Sequence, residues 1–189
     1  MSRLPPIKME EMSPEQQAVY DRIVSGPRGH MGGPHWAWLR SPRLADLAQS
    51  LGQFCRFETR VDPLLIEIAI LVTAAHWRAR LEWDLHVPVA TRLGLGELEI
   101  EAIRKGADPG FNDLTRRALY EFCRDMVVRR KCDAETYAHL EARIGPEAMV
   151  ELTSILGYYS LISMTIVAFE IPSMCRSEDP FHELHATET

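Results

Sequence analysis

At 189 residues the chain has room for one domain with a sizeable apolar core, and folding needs neither disulfides nor a structural metal. Its 21 basic residues stand against 27 acidic ones, a formal net charge of -6, and the one basic cluster is Arg129-Arg130-Lys131, which excludes nucleic acid as a partner. Cys55, Cys123, Cys132 and Cys175 are far apart, form no C-x-x-C pair and follow no basic-then-apolar leader, so reduced thiols in a cytoplasmic protein are the expectation.

Helix punctuation recurs along the chain, and no run alternates with period two in β-branched residues, so the sequence predicts an all-α fold. Ser13-Pro14 opens a first helix as N-cap and first helical residue, and Ser25-Gly26-Pro27 closes it. Residues 26–38 then read as a glycine- and proline-rich loop holding His30, His35, Trp36 and Trp38, a density of rings that suits a pocket wall. Ser41-Pro42 opens a helix whose Leu44, Leu47, Ala48, Leu51 and Phe54 form one apolar stripe, and Asp62-Pro63 opens the next. Pro88 lacks the N–H that would close onto Asp84, which predicts a bend within the following helix; Gly94-Leu95-Gly96 ends it.

Gly145-Pro146 opens a long last helix whose segment 152–171 approaches membrane-spanning length. Ser154, Gly157, Tyr158, Tyr159, Ser160, Ser163, Thr165 and Glu170 interrupt it, so the expectation is no membrane contact but a buried helix, too apolar for one small subunit to cover. Self-association follows. The domain is placed at residues 1–175, with a polar arm over 176–189.

The chemistry concentrates in two neighbouring helices. In LLIEIAILVTAA, residues 64–75, Glu67 is the sole charge in an apolar run, and a buried lone carboxylate is costly unless it finds a partner. In HWRARLEWDLH, residues 76–86, Glu82 and His86 stand four apart on one helix face, with Trp83 and Trp77 as apolar neighbours that move pKa values toward neutrality. His76 lies well round the helix from His86 and reads as packing. A structural ion pair is the bland alternative.

The order Glu67, Ala79, Glu82, His86, with spacings of twelve, three and four, resembles the active-site pattern of the carboxymuconolactone decarboxylase family. Its redox branch, similar to alkyl hydroperoxide reductase D, has cysteines at the two middle positions; here Ala79 and Glu82 replace them, so no thiolate is available for disulfide chemistry there. The run Glu82-Trp83-Asp84-Leu85-His86 followed by Gly94-Leu95 looks like the non-redox branch, and the likeness extends to Gly33-Pro34 and Gly157-Tyr158-Tyr159.

The resemblance implies an AhpD-like helical bundle, trimers or hexamers, and decarboxylation of a small carboxylated lactone in aromatic catabolism, with no cofactor and no metal. The lactone serves as electron sink, in keeping with the absence of phosphate-cradling glycine motifs. His86 is the expected proton donor, Glu82 its orienting or relaying partner and Glu67 the group that fixes its tautomer or raises its pKa. His30, His35, Trp36, Arg78 and Trp83 are candidates for binding the substrate, with Arg80 a further carboxylate ligand. Lactone isomerisation or hydrolysis, a Glu67/Glu82/His86 metal site, and a non-catalytic ligand-binding protein stay open at this stage.

Overall fold

The computed structural model describes residues 2–175 and 178–185, and within them helices account for all regular structure. The first helix, α1 (Pro14–Ser25), is fixed at its start by a reciprocal cap: the Ser13 hydroxyl accepts from the Gln16 amide while the Gln16 side chain accepts from the Ser13 backbone. The expected loop over 26–38 is half helix, because Pro34 sits in the first turn of a short α2 (Gly33–Trp38). Trp38 anchors this helix by donating its indole N–H to Thr165 Oγ1 at 2.9 Å.

Helix α3 (Pro42–Gln53) departs from expectation in which face it buries. Leu44, Leu47 and Leu51 are exposed, Leu47 by 64%, while Ala45, Ala48 and Gly52 face inward. Small residues win because a Cβ on Gly52 would overlap the Tyr158 hydroxyl; the helix comes in close, and the large side chains are left outside. It runs into a wide π-helical turn, Phe54–Glu58, whose Phe54 carbonyl accepts from the Thr59 amide at 3.1 Å. Glu151, nearly buried, secures the turn's exit by accepting from Thr59 Oγ1 at 2.6 Å and from the Arg60 amide at 2.7 Å.

Helix α4 (Pro63–Trp77), capped by Asp62 on the Leu64 amide, is the centre of the molecule. Its residues from Leu64 to Ala74 are all buried, packed between α5 (Arg80–Arg92), α6 (Glu97–Arg104), α7 (Leu114–Arg124) and α8 (Ala134–Ala168). Arg78, in the left-handed conformation at φ 50°, turns the chain back so that α4 and α5 form a hairpin. Helix α5 runs on through Pro88 to Arg92, and Gly94 at φ 99° takes the chain off it.

As expected, Gly145 marks the start of the long apolar helix: its φ of 78° and ψ of 164° divide α8 into two segments, with Pro146 opening the second. Half of the most apolar stretch of α8 is buried inside this chain, against α4 and α7. Of the expected arm, residues 176, 177 and 186–189 lie outside the described residues. Phe181, which falls between them, is fully buried against Trp83 at 5.5 Å between ring centres, so this part of the tail is docked. A last turn, α9 (His182–His185), follows it.

Candidate active site

The α4–α5 hairpin brings Glu67, Glu82 and His86 into contact, at 6%, 5% and 3% exposure. His86 Nδ1 stands 2.6 Å from Glu67 Oε2 and Nε2 stands 3.0 Å from Glu82 Oε1, so both ring nitrogens donate to carboxylates when the ring is charged. Burial opposes that charge, but the hydrogen bonds the ring donates to Glu67 and Glu82 outweigh it and raise the His86 pKa from 6.5 to about 8. The imidazolium is therefore the prevailing form at neutral pH.

The Nε2 edge of the ring faces a cavity of about 330 Å³, within the range of small-molecule sites. Glu82 and His86 line it with the Tyr159 ring, which meets His86 edge-on at 5.4 Å between centres. Arg28 and His30 approach from the segment between α1 and α2, and His35 from α2 itself. Glu67 lies behind the ring and borders a separate cleft of about 690 Å³, with Arg56 and Phe57 shared between the two spaces.

Arg56 has no counterpart among the sequence-derived candidates. The wide turn after α3 directs its Nη1 to 3.3 Å from His86 Nε2 and 3.4 Å from the Tyr159 hydroxyl. Burial disfavours its charge, but Tyr159, Glu67 and Glu82 more than compensate, and its pKa is raised. Burial also raises the Tyr159 pKa, assisted by Glu82, so its hydroxyl remains a donor. One basic residue in FCRFE gives no local sign of a partner thirty residues on.

The remaining expectations divide. His30 and His35 do line the cavity. Burial first, then Arg28 and His30, lower the His35 pKa to about 3, which makes it a neutral wall and not an anion ligand. Trp36 instead packs on Tyr20 at 5.8 Å, and Trp83 on Phe181, away from the lining. Arg78 borders another cavity, of about 240 Å³, with Val72 and His76, because the left-handed turn carries it to the hairpin's end. Arg80 is engaged by Asp84 at 3.2 Å and by the Cys175 carbonyl.

A metal would need a lone pair from His86, and both of its nitrogens are occupied by carboxylates; the described residues form no group of three or more His, Cys, Asp or Glu suited to an ion. None of the four cysteines lines the cavity. Cys55 and Cys123 are buried, which raises both thiol pKa values, Cys55 to about 11.

No protein-family model matches this chain, and no curated protein matches its sequence. Solved structures do. An AhpD core, an uncharacterized peroxidase-related protein from Ralstonia eutropha JMP134, superposes with a TM-score of 0.72 at 11% identity, covering 95% of this chain and 94% of that one. The debrominase Bmp8, in a variant bound to 2,3,4-tribromopyrrole, gives 0.70 at 16% identity over 98% and 97% of the two chains. An uncharacterized peroxidase-related protein from Silicibacter sp. TM1040 gives 0.69 at 11%, over 89% and 88%. At these identities the likeness is one of fold: the chain is an all-helical protein with the AhpD-like architecture.

Proposed function

We propose that the protein is a cofactor-independent carboxy-lyase of the carboxymuconolactone decarboxylase type, in the branch without redox cysteines, acting in the cytoplasm on a small carboxylated lactone. The observation that carries this reading is the His86 ring clasped between two buried carboxylates at the edge of a cavity of small-molecule size. A positioned acid of this kind suits proton delivery near neutral pH.

The carbon–carbon bond to the substrate carboxylate breaks, and its electron pair moves through the conjugated double bond onto the lactone carbonyl oxygen as carbon dioxide leaves. The His86 proton then passes from the Nε2 edge, with Glu82 as relay, to the carbon next to the carbonyl, and the lactone is restored. His86 is left neutral. Glu67 is bonded to Nδ1 and borders the second cleft, which supports a role for it in this reading as the group that returns a proton from the solvent side.

Carbon dioxide release from carboxylated butenolides tests the proposal. His86→Gln and Glu67→Gln are each expected to lower turnover by about 100-fold or more with unchanged helical circular dichroism. Retained turnover in His86→Gln rejects the mechanism, and lactone consumption without carbon dioxide reassigns the site to isomerisation or hydrolysis. The reading includes self-association, supported by the exposed apolar side chains of α8.

A further inference from the structure

The proposed chemistry asks for two groups close together. Charge collects on the lactone carbonyl oxygen while a proton goes to the adjacent carbon, and those two atoms are only two bonds apart. The proton source and the stabiliser of the oxyanion must then be neighbours themselves. Beside the Nε2 edge of His86, Arg56 Nη1 stands at 3.3 Å and touches the Tyr159 hydroxyl at 3.4 Å, and all three residues line the same cavity.

Arg56 is also underused by the protein. No carboxylate lies within ion-pair distance of its guanidinium among the described residues, and its Nε and Nη2 have no protein acceptor there. Charge balance points the same way. Glu67 and Glu82 offset the His86 imidazolium and Arg56; among the described residues Glu82 is the one acid lining the cavity, and Arg28 adds a further positive charge with no acidic partner. The cavity is suited to one negative charge. Leu85, Ile162 and Phe57 supply an apolar side on which a departing carboxylate loses its hydration.

We propose that Arg56 and the Tyr159 hydroxyl form an oxyanion site, specific for a planar ring ligand whose negative charge sits, or comes to sit, on a carbonyl oxygen. The ligand's charge then moves toward Arg56 as the reaction proceeds, so the interaction strengthens in the transition state over the ground state. An arginine on the departing carboxylate would do the reverse.

The inference rests on the carboxy-lyase reading for its role and is tested by binding, separately from turnover. The probe is tetronate, the anion of 4-hydroxy-2(5H)-furanone, a flat lactone with its charge on oxygen; the uncharged comparison is 2(5H)-furanone. By titration calorimetry on the full chain, tetronate is expected to bind about 10-fold or more tightly than furanone. Arg56→Gln removes about 10-fold or more of tetronate affinity and leaves furanone within about 3-fold, Tyr159→Phe loses several-fold, and Arg56→Lys, which keeps charge without the planar fork, falls between. Circular dichroism and melting temperature check that each variant folds.

Equal affinity of wild type and Arg56→Gln for tetronate overturns the oxyanion site, as does tetronate binding no better than furanone or not at all. If no butenolide releases carbon dioxide while tetronate binding depends on Arg56, the carboxy-lyase reading fails and the oxyanion site stands for other enolate chemistry. If carbon dioxide is released and Arg56→Gln leaves kcat within about 3-fold, the oxyanion site fails alone.

Discussion

His86 ties stability and activity to the same proton. Burial alone would lower its pKa, and the two carboxylates reverse that to about 8. In the unfolded chain the ring titrates near 6.5, so the stabilisation from pairing is fully present below 6.5 and disappears as pH rises through about 8. The difference corresponds to about 2 kcal/mol. Urea unfolding at pH 6 and pH 9 should show wild type losing about that much more stability over the interval than His86→Gln; an identical loss in both would mean the ring carries no such linkage. Turnover should fall over the same rise in pH as the acid form is lost. These three residues were legible because a lone glutamate in an apolar run demands a partner and an i, i+4 pair on the next helix offers one. Arg56 was not, since only the tertiary approach of the α3 exit to α5 and α8 gives it neighbours. Arg78 looked suitable by sequence proximity, and one left-handed residue sends it elsewhere.

Element boundaries were readable wherever a cap or a ring closes off the alternatives: Ser13, Asp62, Gly94 and Gly145 all stand at the ends the sequence assigned them. The facing of α3 was not, because periodicity locates an apolar stripe without saying whether this chain covers it. What decides is the close approach at Gly52, where the Tyr158 hydroxyl occupies the place of a side chain. Gly52→Ala forces α3 away from α8 and disturbs the neighbouring Tyr159. Overpacking of this kind costs about 1–3 kcal/mol, and any gain from reduced unfolded-chain freedom is smaller. Thermal unfolding should therefore show a lower melting temperature for Gly52→Ala; an unchanged or higher one would mean that the two helices are not held at this distance.

Across the whole molecule, the outward side of α8 carries Val150, Leu161, Met164 and Val167, with Val150 69% exposed and Gly157 open to its surroundings. Its inner side meets α4, so this helix is apolar on both faces and the chain covers one. The sequence foresaw this shortage of cover from residues 152–171, while the number of copies needs a geometry that no single chain supplies. For this face a second copy is the expected cover and not lipid: Thr153, Ser154 and Ser160 break the band, and Leu44, Leu47 and Leu51 expose further apolar surface on α3. The pair Leu161→Glu and Met164→Glu places charges on the band at positions the fold leaves exposed, so the monomer should keep its helical circular dichroism. Light scattering at about 10 µM should find wild type as an oligomer and the double variant as a single chain, since burying unpaired carboxylates in an interface costs several kcal/mol. A monomeric wild type at that concentration would refute self-association through this face.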